Sequence, residues 1–118
     1  MNKTFLAMII IVVLFTTIAC SKSNNGGGGS SVDCNTVANK AFAADVNPTI
    51  QSSCAITGCH EAGSLNGPGA LINYSQVFNA RSTIQSAVSA GTMPKTGSIS
   101  TSQKNSILCW IQSGAPNN

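Results

Sequence analysis

Between residues 54 and 60 the chain reads CAITGCH, which sets two cysteines beside the only histidine of the sequence. Any fold available to this chain must gather these three side chains or lock them in bonds. Three chemistries use such a run: a disulfide staple, a metal site, or covalent haem attachment, whose usual run is C-x-x-C-H. Here four residues separate the cysteines instead of two. Zinc is the weakest of the three. Neighbouring Cys and His rarely serve one zinc together, and a fourth ligand would have to be Cys34 or Cys109.

The N-terminal residues set the compartment. Lys3 precedes an unbroken apolar run from Phe5 to Phe15. A membrane-spanning helix needs about 20 apolar residues, so this shorter run reads as a secretory leader over residues 1–19. It ends in TIAC, which resembles a bacterial lipobox. Ala19 and Cys20 fit that pattern, and Thr17 stands where an aliphatic residue is usual. The resemblance implies cleavage before Cys20 and lipid on its sulfur. Ser21, rather than Asp, leans toward the outer membrane. The following SKSNNGGGGSS cannot bury apolar surface and behaves as a tether, with a reach of roughly 17 to 20 Å. Residues 20–33 are therefore expected to be anchor and tether, and residues 34–118 a single small domain in the bacterial cell envelope.

That domain has little charge. From Cys20 onward, Lys22, Lys40, Arg81, Lys95 and Lys104 face only Asp33, Asp45 and Glu61. No basic stripe exists, so nucleic-acid binding is not expected. The three acids are scattered, and no acid–base pair points to an enzyme. A domain this size supports one modest core and is often helped by a staple, a metal or a cofactor.

Four cysteines remain after Cys20, in a compartment that permits disulfides: Cys34, Cys54, Cys59 and Cys109. If all four form disulfides, three pairings are open. If Cys54 and Cys59 hold haem, Cys34 and Cys109 are left to pair. That bridge would close a loop of about 76 residues, worth roughly 4 to 5 kcal/mol in the chain-entropy model.

A haem iron needs axial ligands. His60, directly after the second cysteine, is placed to be the proximal one. Met1 and Met8 leave with the leader, so Met93 is the only methionine of the mature chain. It sits in AGTMPK, where Pro94 restricts the backbone and helps present the sulfur. On its own, a loop methionine is more often a gap filler.

Taken in order, PTIQSSCAITGCHEAG, LINYSQV, SAGTMPK and ILCWIQSGAPNN resemble a small class I c-type cytochrome domain of the kind carried by bacterial lipoproteins. The likeness covers residues 34–118. It implies one covalent haem c per chain, with thioethers from Cys54 and Cys59 and axial ligands His60 and Met93. It also implies electron transfer with redox partner proteins. The four-residue cysteine spacing departs from the family's usual run and implies a tolerant or dedicated maturation system.

The fold expectation is all-α: a small cytochrome c-like domain with short helices and long loops around one haem. Ser100 with Gln103 makes a capping-box start for a last helix in which Ile107, Trp110 and Ile111 share a face. Gly114 and Pro116 mark its end. YSQVFNARSTIQSAVSAG reads as one or two helices with Val77, Ile84 and Val88 inward and Gly91 as the stop. A short helix is expected from Pro48 to about Ser53, and another from Val37 to Ala44. Residues 61–73 read as loop. Trp110 reads as a core residue; Arg81, Lys95 and Lys104 read as solvated, with a haem propionate as the alternative partner of each, and Tyr74 is a candidate propionate donor. These few short helices bury little by themselves, which argues for an apolar cofactor at the centre. The competing expectations are a haem-free, disulfide-stapled binding module and a five-coordinate haem protein in which Met93 does not ligate.

Overall fold

The computed structural model describes residues 31–118. The leader, Cys20 and the tether through residue 30 lie outside the described residues. Within them the chain is all-helical, without strands, and no helix is long and apolar enough to cross a membrane.

A π-helical turn, Phe42–Val46, runs directly into helix α1, Asn47–Ser53. Phe42, Val46 and Ile50 recur every four residues and form one buried stripe through both. Pro48 falls in the first turn of α1, where its missing N–H is not needed. The expected helix from Val37 is corrected: helical structure starts only at Phe42. Upstream, Asp33 draws the chain into a turn, its carbonyl accepting from Thr36 N and its side chain from Asn35 N. The helical start is capped from far away. Asn118 Oδ1 accepts from Phe42 N at 2.9 Å, and the Asn118 carbonyl accepts from Ala43 N at 2.7 Å.

Helix α2, Tyr74–Ala90, is a single helix. Asn73 caps it by accepting from Gln76 N, and Gly91 stops it in the left-handed conformation at φ 70°. Val77, Ala80, Ile84 and Val88 make its buried face. Helix α3, Thr101–Gln112, opens on the Ser100–Gln103 capping box with both hydrogen bonds present. Helix α3 packs against α2 on one side and the Phe42 turn on the other.

An aromatic cluster ties these layers. Phe42 meets the edge of Tyr74 at 5.0 Å and lies 5.3 Å from Trp110. Such pairs add about 0.5 to 1.5 kcal/mol beyond their burial. The polar ends of the two larger rings are met by the segment after α3. Tyr74 donates to the Ala115 carbonyl at 2.9 Å, and Trp110 Nε1–H donates to the Pro116 carbonyl at 2.8 Å. Residues 113–118 thus fold back over the cluster, and Asn118 ends at the Phe42 cap.

A disulfide joins Cys34 to Cys109, with Cα atoms 5.3 Å apart. It pins the irregular segment before Phe42 onto α3, where Cys109 is fully buried. Lys40 Nζ donates to the Cys34 carbonyl at 2.7 Å and holds the same segment.

Candidate haem-binding cleft

Helix α1 delivers Cys54 at its last turn, where the amides of both Cys54 and Ala55 donate to the Ile50 carbonyl. The four residues between the cysteines then form a compact turn. Cys59 N donates to the Ile56 carbonyl at 3.0 Å, and Gly58 takes φ 79° while donating to Glu61 Oε1 at 2.9 Å. The turn closes where His60 N reaches back to the Cys54 carbonyl at 3.0 Å. The longer spacing is absorbed locally, so Cys54, Cys59 and His60 all line one cleft.

The loop that follows grips this turn. Ser64 Oγ and Asn66 Nδ2 both donate to the Cys59 carbonyl, and Asn66 also reaches the Gly58 carbonyl at 3.0 Å. Leu71 N donates to the His60 carbonyl at 2.9 Å. The His60 ring is nearly enclosed, at 7% exposure. Its Nδ1 lies 2.9 Å from the Gly69 carbonyl. A carbonyl only accepts, so Nδ1 carries a proton, and in the neutral ring that tautomer leaves the lone pair on Nε2. Nε2 has no hydrogen-bond partner among the described residues, yet no unpartnered side-chain nitrogen or oxygen there is fully enclosed. It is therefore not fully enclosed, and the ring it belongs to lines the cleft. A histidine that donates from one ring nitrogen to a backbone carbonyl and frees the other is oriented as a metal ligand is.

Gly67 makes room for this ring. It adopts φ 56°, and a Cβ there would stand 3.3 Å from His60 Cε1. A Gly67→Ala variant is expected to lose about 1 to 2 kcal/mol for the left-handed backbone alone and to push the imidazole off its seat. Denaturant unfolding beside the parent chain measures the first effect, and the absorbance of any bound chromophore reports the second.

Met93 lines the same cleft from the opposite side of the sequence. The segment leaves α2 through Gly91, and both Thr92 N and Thr92 Oγ1 donate to the Ala87 carbonyl. The Met93–Pro94 peptide bond is cis. The four residues expected to serve a haem are thus gathered around one space of about 470 Å³. Cofactor sites run roughly 300 to 1,000 Å³. Ile50, Leu71, Ile84 and Val88 give it apolar walls.

Cys54 and Cys59 are free thiols and half-buried. Burial pushes the Cys54 thiol above its ordinary range, and Cys59 beside it adds to the rise. No group of three or more His, Cys, Asp or Glu side chains is placed to hold a metal ion among the described residues, and Cys34 and Cys109, the possible fourth zinc ligands, are bonded to each other.

Of the other expectations, the one for Tyr74 is corrected. Tyr74 does not line the cleft; its hydroxyl is spent on Ala115. Arg81 donates to the Phe78 carbonyl at 2.8 Å and lies over the Phe78 ring at 4.0 Å. Trp110 is a core residue. Lys95 is exposed, as expected of a solvated lysine, but it also lines the cleft. Sequence reasoning missed Gly69, Ser64 and Asn66, since nothing in the local pattern shows which carbonyl a loop will turn toward a ring.

Comparison with family models, with curated proteins and with solved structures finds no match to this chain.

Proposed function

We propose that the domain carries one covalently attached c-type haem and serves as a membrane-anchored electron carrier. The observation that carries this reading is the convergence of Cys54, Cys59, His60 and Met93 on one apolar-walled cleft. Met93 stands 33 positions beyond His60 in the sequence, and local patterning alone would not bring them together.

The residues fit the group. Cys54 and Cys59 would supply the thioether sulfurs, and both are free. His60 would ligate through Nε2, its ring held by Gly69. Met93 would supply the second axial ligand. When bound, the haem supplies a one-electron couple, and histidine–methionine ligation raises its potential relative to stronger donors. The chain's own part is to fix the imidazole, exclude water with apolar walls and hold the thiols on one edge. No aspartate or glutamate lines the cleft. Lipid on Cys20 would anchor the domain to the envelope membrane, and the tether would let it reach redox partners.

A Cys54→Ser/Cys59→Ser double variant, expressed beside the parent chain in a host with c-type haem machinery, tests the attachment. The parent is expected to keep haem on a denaturing gel and the variant to lose it completely. Equal staining of both would place the haem elsewhere and remove the reading. A parent without haem, with Cys54 and Cys59 oxidised to disulfides, would leave the stapled binding module.

A further inference from the structure

We propose that Lys95 is a positioning residue: it pairs with a carboxylate of the bound haem and thereby ties the Met93 loop across the mouth of the cleft. This inference rests on the haem reading above. Four cationic side chains stand among the described residues. Lys40 is engaged by the Cys34 carbonyl, Arg81 by Phe78, and Lys104 by the Ser89 carbonyl at 3.3 Å. Lys95 has no partner among the described residues, and it is the only one of the four that lines the cleft.

The cleft wall therefore carries one positive charge and no negative one. That balance selects a ligand with an anionic edge. Haem has two carboxylates, and a carboxylate at the margin of an apolar cleft is costly unless it is paired. Thr96, next to Lys95, lines the cleft as well and offers a hydroxyl donor.

The loop itself gives the second argument. The segment holding His60 is cross-braced at Cys54, Gly58, Cys59, Gly69 and Leu71. In contrast, residues 93–99 make no backbone hydrogen bond among the described residues. The last tie before Met93 is at Thr92, and the next is the Ser100 cap of α3. An ion pair at Lys95, two residues after Met93, would fasten this span at its middle and hold the methionine sulfur in place.

The test is the midpoint potential of the haem-loaded parent, Lys95→Met and Lys95→Arg, in low and high salt, with carbon monoxide binding to each ferrous form. Removing a cation that pairs with a haem carboxylate would disfavour the reduced state, which carries one positive charge fewer. Lys95→Met is expected to lower the equilibrium constant for reduction roughly three- to tenfold, tenfold being about 59 mV for one electron. It is also expected to bind carbon monoxide faster, because Met93 is less firmly held. Lys95→Arg should restore both. The shift should persist in 1 M salt, where the Debye length falls to about 3 Å and a merely solvated charge is screened. An unchanged potential in a haem-loaded Lys95→Met, or a shift that vanishes in salt, would overturn the pairing and leave the haem reading standing. A parent chain without haem would overturn both.

Discussion

Met93→Ala is expected to keep its covalent haem and lose its sixth ligand. Cys54, Cys59 and His60 sit on a turn and loop that Met93 does not touch through any hydrogen bond. The substitution should therefore leave attachment intact. At the iron the effect should be large. The midpoint potential is expected to fall by about 0.1 to 0.3 V, part of the roughly 0.8 V that axial ligands command, because the thioether favours the ferrous state. Ferrous protein should then bind carbon monoxide readily, which a six-coordinate site resists. No other methionine lies among the described residues to replace it. If the potential and carbon monoxide binding match the parent, Met93 is not a ligand, and a five-coordinate haem becomes the better account.

Removal of the Cys34–Cys109 bridge should have the largest effect on stability. It spans a sequence separation of 75, and closing such a loop is worth roughly 4 to 5 kcal/mol. A domain of about 88 residues holds only some 4 to 13 kcal/mol in total. Losing about a third or more of that moves the haem-free chain toward unfolding. Alanine is the suitable replacement, since Cys109 is fully buried and a serine hydroxyl there would add its own desolvation cost. Denaturant unfolding of Cys34→Ala/Cys109→Ala should show a sharply lower midpoint. Haem should recover part of the loss, because any ligand that binds only the folded state stabilises it. A midpoint within about 1 kcal/mol of the parent would mean that the packing around Phe42, Tyr74 and Trp110 carries the domain without the bridge.

Much of the helical framework was legible because its signals are local. Helix α3 announces itself by Ser100 with Gln103, and α2 by the recurrence of Val77, Ile84 and Val88 before Gly91. The first helix was misread for a physical reason. Its cap is Asn118, 76 positions away, so no local pattern can show that helicity waits until Phe42. The same division holds at the cleft. Residue type and order led to the expectation that Cys54, Cys59, His60 and Met93 belong together, and all four line the cleft. The Gly69 carbonyl that orients His60, the brace of Ser64 and Asn66 on Cys59, and the place of Lys95 on the cleft wall are products of loop conformation. Tyr74 was assigned to the cofactor because its partner, Ala115, lies 41 positions away in a segment that folds back only in three dimensions.

The most direct test of the central claim is a visible spectrum of the parent protein, matured in a host with c-type haem machinery, read beside a haem stain of the same sample on a denaturing gel. The account predicts a reduced-minus-oxidised spectrum of c type and haem that survives denaturation on the chain. A colourless protein from that host, with Cys54 and Cys59 found joined in disulfides, would contradict it.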